Sequence, residues 1–421
     1  MPFKSHGRTY DLVVFGATGY TGVYLTEYIT TSLPTDLKWA LAGRSHDKLT
    51  ALAANLKQLN PDRLQPAIET CGIDNAELAG LAKKTFVLIT TVGPYGAYGE
   101  PAFKACAENG THYLDVTGEV PFVARMVRKY EAAAKASGAL MFPQSGVESA
   151  PADLVAWTVA KVNRTQLQAK TADVTAALRL KAMPSGGTYL TALTALDVFS
   201  VQELRTSLAP FALSPEKRDH PRRGRWTLLS WLTGLVTVRN LGLMTTSLMG
   251  ATNASQVERT WGLLASMPAR QAEAYGPRFS FVEYAKARNW FQGAVMHLTL
   301  AFASVLLAVC PPFRWLAKRF VYQPGEGPTR EANKKDRFEY RAVGNPDLNA
   351  GPPRQQAFCR AAYNGGVYTM TGMLVAEAAM TLLEDDIKLN GGIYTPSFLG
   401  QSYIDRLDRA GLKFESKVID A

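Results

Sequence analysis

Short apolar runs alternate with longer amphipathic stretches over the first third of the chain. The first run, residues 12–15, has no polar member, which is typical of a parallel strand covered on both faces. A helical pattern follows at residues 23–31. Further strands are predicted at residues 38–42, 65–71, 86–90, 112–115 and 140–143, and helices between them at 45–59, 75–83, 100–109 and 121–137. This βα repetition predicts an α/β fold that begins with a Rossmann-type, doubly wound parallel sheet over residues 1–150.

Three glycines at G-x-x-G-x-x-G spacing lie between the first strand and the first helix. A glycine turn in this context lets backbone N–H groups approach a pyrophosphate, and the helix N-terminus adds partial positive charge. The turn therefore predicts dinucleotide binding. Its candidate cofactor-binding residues are Gly16, Thr18, Gly19, Tyr20, Thr21 and Gly22.

The second predicted strand ends where a dinucleotide site usually reads the ribose. An NAD site commonly has Asp or Glu there, whereas this chain has Arg44 and Ser45, with Lys48 one helical turn later. Cationic and hydroxyl groups would bind a 2′-phosphate. The sequence therefore favours NADP(H) over NAD(H), although Arg44 could also be a solvated residue at a helix start.

The loops after the fourth, fifth and sixth strands should meet at one edge of the sheet, where such folds bind ligands. The fourth-strand loop supplies further candidate cofactor-binding residues: Thr91, Val92, Gly93, Pro94 and Tyr95. Tyr95, held between Gly-Pro and Gly, is the candidate proton donor, with bulk water as the alternative. Ser149 and Asp153, from the sixth-strand loop, are weaker catalytic candidates that could instead hold a helix start or the cofactor.

After residue 154 the pattern changes. Residues 151–204 and 335–395 are predicted to form a second α+β domain, with one helix running from 186 to about 204. Residues 205–334 are predicted to be a mostly helical, apolar insertion that contains a basic loop at 220–225. Residues 396–421 are predicted to be a helix and a strand that pack back on the earlier domains.

Composition narrows the class of protein. A hydrophobic fraction of 47% and a charged fraction of 19% are those of a globular chain with a large core. The net charge of +10 suits an anionic ligand, a membrane surface or an acidic carrier, and no motif indicates a nucleic-acid partner. The four scattered cysteines predict neither a disulfide framework nor a metal site and favour a reducing, intracellular compartment. The polar first nine residues do not read as a signal peptide.

Residues 294–310 form the longest apolar segment, interrupted only by His297, Thr299 and Ser304. Seventeen residues fall slightly short of a comfortable membrane span. Three interpretations remain open: a buried helix of the second lobe, a lipid-facing surface element, or a transmembrane helix. The arginines and lysine that follow the segment favour contact with lipid or with an apolar substrate channel.

Taken together, these motifs resemble the saccharopine dehydrogenase-like oxidoreductases, and within them the trans-acting enoyl reductases and the animal saccharopine dehydrogenase-like proteins. The resemblance rests on the glycine loop and on the motifs at 42–45, 93–101, 115–119 and 146–154, with landmarks at 324–328 and 391–396. It implies an NADPH-dependent reductase that transfers hydride to an activated C=C of an apolar acyl, polyketide or lipid-like substrate, which a carrier could deliver.

Two other functions stay open on the sequence. One is imine or C–N oxidoreduction of the saccharopine dehydrogenase type. The other is NADP binding without turnover, in a protein associated with membranes or lipid droplets, since no unmistakable catalytic pair is evident. A cytoplasmic location is expected, with peripheral membrane or lipid-droplet contact and a homodimer as further expectations.

Overall fold

The computed structural model describes residues 3–218, 227–317, 319, 322–323, 325–349 and 351–421; the predicted basic loop at 220–225 lies outside them. The strands are β1 (Tyr10–Phe15), β2 (Trp39–Gly43), β3 (Ala67–Thr70), β4 (Thr85–Thr90), β5 (His112–Asp115), β6 (Leu140–Phe142), β7 (Thr171–Lys181), β8 (Val236–Val238), β9 (Gly242–Thr246), β10 (Ser280–Lys286), β11 (Arg337–Pro346), β12 (Gln355–Asn364), β13 (Gly392–Ile393) and β14 (Lys413–Asp420).

The helices account for most of the remaining chain, with short 3-10 turns at Pro268–Glu273 and Pro396–Leu399. They are α1 (Tyr20–Ser32), α2 (His46–Leu59), α3 (Asn75–Lys84), α4 (Tyr95–Tyr98), α5 (Glu100–Asn109), α6 (Val120–Ser137), α7 (Ala150–Gln166), α8 (Gly186–Val198), α9 (Val201–Ser207), α10 (Leu228–Thr233), α11 (Gly250–Ser266), α12 (Trp290–Val309), α13 (Pro311–Ala317), α14 (Arg330–Asn333), α15 (Val367–Glu384) and α16 (Gly400–Ala410).

The first sheet is parallel throughout, with its strands in the order β13-β6-β5-β4-β1-β2-β3. Leu12, Val13 and Val14 of β1 are fully buried, as expected for a strand covered on both faces. The chain runs outward from β1 through β2 to β3 and then returns to β4 on the other side of β1. This change of direction leaves a crevice at the carboxyl ends of β1 and β4, where dinucleotides bind in such sheets. The predicted Rossmann-type sheet is confirmed.

A second sheet has the order β14-β12-β11-β7-β10-β9-β8 and is mainly antiparallel, with β7 and β10 as its parallel pair. The prediction that residues 205–334 are mostly helical is wrong in part, because β8, β9 and β10 lie there and extend this sheet. These strands are short, and the surrounding Trp, Leu and Met residues obscure their alternation. The C-terminal helix and strand form as predicted, and β14 pairs with β12 at the sheet edge.

Helices from both halves of the chain share one core. The long α15 is buried along almost its whole length and packs on α1 and on the first sheet. Gly372 allows this close approach, since a Cβ atom there would lie 2.8 Å from the Leu25 Cα. A helix of the second half therefore covers one face of the nucleotide-binding sheet.

The predicted helix from 186 to 204 is wrong in its length, because the chain forms two helices there. α8 ends at Val198, and Ser200 then begins α9 with a capping box. The Ser200 side chain accepts from the Glu203 N–H at 3.1 Å, and the Glu203 carboxylate accepts from the Ser200 N–H at 3.0 Å. Reciprocal capping of this kind satisfies donors that would otherwise be orphaned at a new helix start.

The apolar segment around α12 lies on the surface, so the interpretation of it as a buried helix is wrong. Within the described part of the chain, Trp290–Leu307 is the one helix segment long and apolar enough to cross a membrane by length and composition. Only 6% of that segment is buried. A core helix of a soluble lobe would be mostly buried, so α12 presents its apolar side chains to the surroundings of the protein.

Candidate active site

The glycine turn after β1 has the close packing that a dinucleotide loop requires. Gly16 has φ of +88°, and a Cβ atom there would lie 2.7 Å from a Val92 methyl group. A Cβ atom on Gly22 would lie 2.3 Å from the Gly16 carbonyl oxygen. Gly19 occupies the N-cap position of α1, and no side chain caps this helix. The first N–H groups of α1 are therefore left for an anionic ligand.

The loop after β4 lies beside this turn because β4 pairs with β1. The Thr91 hydroxyl donates to the Gly16 carbonyl at 3.0 Å, which joins the two loops directly. Thr91 and Val92 are half-buried, and the Gly93–Pro94 peptide bond is cis. The predicted cofactor residues of the two loops are thus brought together at the crevice between β1 and β4.

The predicted phosphate-reading residues lie at the carboxyl end of β2. Ser45 is the N-cap of α2, and its side chain accepts from the Lys48 N–H at 3.4 Å. Arg44 is exposed, and among the described residues its guanidinium has no hydrogen bond or ion pair. The Lys48 ammonium is likewise exposed and unpaired in the described part of the chain. Two free cationic groups at this position fit a 2′-phosphate.

Tyr20 is predicted to bind the cofactor, but its side chain contacts the second half of the chain. Its hydroxyl donates to the Pro328 carbonyl at 2.6 Å and accepts from the Asn333 amide at 2.8 Å. Gly327 makes room for the ring, since a Cβ atom there would lie 2.5 Å from Tyr20 Cζ. The side chain of Tyr20 thus joins the first turn of α1 to the landmark at 324–328, of which Pro324 lies outside the described residues.

Tyr95, the predicted proton donor, is buried beneath its loop. Its hydroxyl donates to the Thr90 carbonyl at 2.9 Å and accepts from the Val116 N–H at 3.3 Å. Burial and the neighbouring Asp115 carboxylate raise the pKa of Tyr95 well above its ordinary value. Because its proton is engaged by the backbone, Tyr95 is placed to hold the β4 and β5 loops together, and its geometry argues against proton donation.

Ser149 and Asp153 lie at the start of α7, also in buried positions. Ser149 occupies the N-cap position, but its side chain does not cap the helix and its Oγ atom has no hydrogen-bond partner among the described residues. The Asp153 carboxylate accepts from the Thr260 hydroxyl at 2.5 Å and from the Ser397 N–H at 2.8 Å. Burial raises the pKa of Asp153 to about 6. Asp153 thus joins α7 to α11 and to the 395–397 turn, which is a structural role.

Two carboxyl groups that the sequence predictions did not select lie at the same edge of the sheet. Glu119 accepts from the Tyr95 N–H at 2.6 Å and from the Gly96 N–H at 2.8 Å, which fixes the start of α4. Glu148 lies against Gly118, where a Cβ atom would be 2.5 Å from its Oε2. Among the described residues, Glu148 has no hydrogen-bond or ion-pair partner. Burial, followed by the charge of Glu119, raises the pKa of Glu148 to about 7.

Elements of the second half of the chain cover this edge. The Thr191 hydroxyl of α8 is 3.4 Å from a Glu119 oxygen, and the Ser185 N–H donates to the Tyr368 hydroxyl at 2.5 Å. The Gly186 N–H donates to the Glu326 carbonyl at 3.0 Å. α8 is therefore held at its first turn by both α15 and the 325–328 loop, and it spans the edge toward the β4 loop.

The comparisons with known proteins agree with this geometry. Residues 12–142 match the family described as Saccharopine dehydrogenase NADP binding domain. A saccharopine dehydrogenase-like oxidoreductase of Pongo abelii is 30% identical, with 97% of each chain covered. The chain belongs to the saccharopine dehydrogenase-like oxidoreductases. The trans-acting enoyl reductase of Mycobacterium ulcerans is 27% identical over 97% of this chain and 98% of its own length.

The fold of this saccharopine dehydrogenase-like oxidoreductase is also found in a solved structure. Apo saccharopine dehydrogenase (L-Glu forming) from Saccharomyces cerevisiae aligns with a TM-score of 0.51, at 11% identity and with 97% and 99% of the two chains covered. The NADP-binding domain shows that this oxidoreductase binds NADP(H). The uncapped α1 N-terminus and the free Arg44 guanidinium fit that cofactor's phosphates.

Glu119 and Glu148 could have been found from the sequence by one signal. Each follows a short buried strand by a few residues and lies next to a glycine-containing turn, at Gly118 and Gly146 respectively. Carboxyl groups at strand ends in an oxidoreductase are candidates for a raised pKa. What the sequence could not show is which of the two is satisfied by backbone N–H groups.

Proposed function

We propose that this oxidoreductase reduces an activated C=C bond of an apolar acyl or polyketide-like substrate with NADPH, and that Glu148 supplies the proton. The supporting observation is the Glu148 carboxyl group itself. It is half-buried at the ligand-binding edge of the sheet, and it has no hydrogen-bond or ion-pair partner among the described residues. A carboxyl group with a pKa of about 7 is well matched to proton transfer near neutral pH.

The reaction balances with the groups named. NADPH, when bound, supplies the hydride, which the β-carbon of the unsaturated acyl group accepts. The α-carbon then takes the proton from the Glu148 carboxyl group. The products are the saturated acyl group, NADP⁺ and the Glu148 carboxylate. Solvent can reprotonate this carboxylate, because the side chain is only half-buried.

Glu119 and Glu148 differ in protonation because their surroundings differ. Glu119 accepts two backbone hydrogen bonds, which favour its charged form. Glu148 lacks such donors and faces that charge, so its neutral form is favoured below pH 7 or thereabouts. Pairs of carboxyl groups whose pKa values are pushed apart are a common arrangement for an acid and its stabilising neighbour.

The chemistry of the edge favours a substrate without free carboxylates. The titratable groups that interact electrostatically with Glu148 include the Glu119 carboxylate and the Tyr95 and Tyr368 hydroxyls, which are acidic or neutral. A dicarboxylic amino acid would require cationic partners for its carboxylates. The names of relatives that are trans-acting enoyl reductases point to the same substrate class.

Two buried donors on the loop that carries Glu148 lack an acceptor among the described residues, which suits binding of a carbonyl oxygen or of a water molecule that binds it. They are the Ser149 Oγ–H and the Gln144 Nε2–H groups. Gln144 ends the β6 strand region with φ of +57°, a conformation uncommon outside glycine. Donors of this kind would stabilise the enolate that forms while the α-carbon awaits its proton.

A second candidate is C=N reduction, and the carboxyl pair is the observation that favours it. A protonated imine carries positive charge, and the Glu119 carboxylate would stabilise it. In this reaction the hydride reduces the carbon of the iminium group. The Glu148 carboxylate would then add negative charge near the iminium group, and Glu148 would not be required as a proton source.

The test is loss of the reduced-nicotinamide absorbance with a panel of enoyl thioesters and cyclic imines. We expect oxidation of NADPH with an enoyl thioester and a single-turnover rate that falls as pH rises through about 7. Glu148→Gln should lower that rate by roughly 10²–10⁴-fold and remove its pH dependence, without changing NADPH affinity. The control is Glu108→Gln, which alters only an exposed pair with Lys104.

Three results would contradict the proposal in different ways. Full activity of Glu148→Gln would show that water or another group donates the proton. Turnover of imines alone would support the second candidate. No oxidation with any substrate of either class, although NADPH binds, would support a non-catalytic NADP-binding protein.

A further inference from the structure

α12 carries a continuous apolar stripe that nothing in the described chain covers. The large side chains of this stripe are all more than two-fifths exposed, and they recur every three or four residues: Phe291, Val295, Leu298, Phe302, Val305 and Val309. A helix of twenty residues is about 30 Å long, so the stripe extends over that whole distance. Soluble monomers rarely expose a contiguous apolar surface of this size without using it.

α10 and α13 contact α12 and enlarge the same surface. In α10, Leu228 and Leu229 are at least 70% exposed. Exposed tryptophans lie on each of the three helices, at Trp231, Trp290 and Trp315. Tryptophan is enriched where a protein meets the boundary between lipid and water, because its ring is apolar and its N–H is polar. We call these exposed side chains of α10, α12 and α13 the apolar face.

The opposite side of α12 is fastened to the second sheet. The Thr245 hydroxyl of β9 donates to the Gly293 carbonyl at 2.8 Å, and the Thr246 hydroxyl lies 2.7 Å from His297 Nδ1. Gly234, which ends α10, packs so closely on His297 that a Cβ atom would lie 2.4 Å from the ring. α12 therefore lies along the edge of the lobe, a position that suits a helix in the plane of a membrane surface.

Charge selects among the partners that could cover this face. Residues 220–257 and 284–325, which include α10, α12 and α13, contain nine Lys and Arg residues and no Asp or Glu. The Arg319 guanidinium stacks on the Trp315 ring at 3.8 Å, beside the apolar face. A second copy of this chain would bring two such basic segments together in a symmetric dimer, which like charges oppose. An anionic phospholipid surface complements both the charge and the apolar side chains.

We propose that the apolar face docks on the surface of an anionic phospholipid membrane, with α12 lying in the plane of the interface. The apolar stripe inserts among the acyl chains near the headgroups, and Arg319, beside Trp315 of the apolar face, contacts lipid phosphates. This goes beyond the proposed reductase function and does not depend on it. Membrane binding can be measured with or without a substrate.

The test is flotation of the full-length protein with vesicles of phosphatidylcholine, with and without phosphatidylserine. We expect recovery with the anionic vesicles, weaker recovery without phosphatidylserine, and loss of recovery in high salt. The paired substitution Leu298→Asp with Phe302→Asp should lower vesicle binding by at least about tenfold, because both side chains belong to the inserted stripe. The control is Leu59→Asp, which changes a similarly exposed leucine at the end of α2.

Both variant side chains are exposed, so the fold should survive, and circular dichroism with a thermal scan verifies this. Equal vesicle binding by the paired variant and the control would overturn the proposal. So would failure of the folded, unmodified protein to bind any vesicle. Sedimentation adds another decisive result: a dimer in vesicle-free buffer that the paired variant converts to a monomer would assign this face to a second copy.

Discussion

Replacement of Arg44 by Asp tests how the chain distinguishes NADPH from NADH. Arg44 directly follows β2, and its guanidinium has no partner among the described residues. Its removal therefore breaks no contact that holds the fold. Any change in cofactor affinity should come from the interaction with the cofactor alone.

The expected magnitude follows from the exposure of Arg44. A hydrogen bond to a charged group contributes about 1.5–3 kcal/mol, and solvent screening at an exposed site reduces this to roughly 1–2 kcal/mol. That range corresponds to about 5–30-fold in NADPH affinity. An Asp in this position also repels a 2′-phosphate and can accept from the ribose 2′-hydroxyl of NADH. We therefore expect the preference for NADPH to flatten or reverse.

The assay is a fluorescence titration of NADPH and NADH with the unmodified protein, Arg44→Asp and Lys48→Gln. Lys57→Asp is the matched control, because it makes a similar charge change near the far end of α2. High salt should narrow the difference between the cofactors. Equal dissociation constants for NADPH and NADH in the unmodified protein would refute the reasoning, as would identical behaviour of Arg44→Asp and Lys57→Asp.

Two further predictions concern the nucleotide-binding domain. Gly22→Ala should weaken NADPH binding and lower the melting temperature, because its Cβ would lie 2.3 Å from the Gly16 carbonyl oxygen. The control Gly80→Ala, in open space on α3, should leave stability unchanged or raise it. Equal effects of the two substitutions would contradict this prediction. Burial lowers the pKa of His112 to about 4, below its unfolded value near ~6.5, so the unfolded chain binds the extra proton first. The free energy of unfolding should therefore fall as pH decreases from about 6.5 to about 4, because protonation of His112 favours the unfolded chain in this range. Urea unfolding of His112→Gln should show a free energy of unfolding that depends less on pH.

The first sheet could be predicted almost strand by strand, for a physical reason. Strands β1, β2 and β4 are short apolar runs that are almost wholly buried. Several of the helices have recognisable ends, such as α2 with its N-cap Ser45 and α5 with the left-handed Gly110. These signals are local. β13, by contrast, pairs only two residues with β6 across about 250 residues of chain, and no local pattern marks such a pairing.

Side-chain direction limited the prediction of the site. The sequence placed Tyr95, Ser149 and Asp153 at the correct edge of the sheet, but it could not show that Tyr95 turns under its loop toward Thr90. That turn depends on Glu119, which captures the first N–H groups of α4 from 24 residues away. A proton donor cannot be chosen until such distant contacts reveal which polar atoms are already engaged.

Composition likewise could not decide the position of α12. A helix with apolar residues on all sides fits a core, a membrane or a surface face equally well, since periodicity gives no preferred side. The structure decides it through Thr245, Thr246 and Gly234, which fasten only one side of the helix. Those contacts come from β9 and from the end of α10, in the region predicted to be mostly helical.

The short chain segment between α13 and the 325–328 loop sets an upper limit on the distance from the apolar face to the nucleotide loop. Ten residue steps separate Ala317, the last residue of α13, from Gly327, which packs on the Tyr20 ring at the first turn of α1. A chain of that length spans at most about 36 Å even when fully extended. One end of the apolar face therefore lies within that distance of the nucleotide loop. The membrane docking proposed for the apolar face would bring a lipid surface within that distance of the nucleotide loop, and this agrees with the apolar substrate proposed for the reductase.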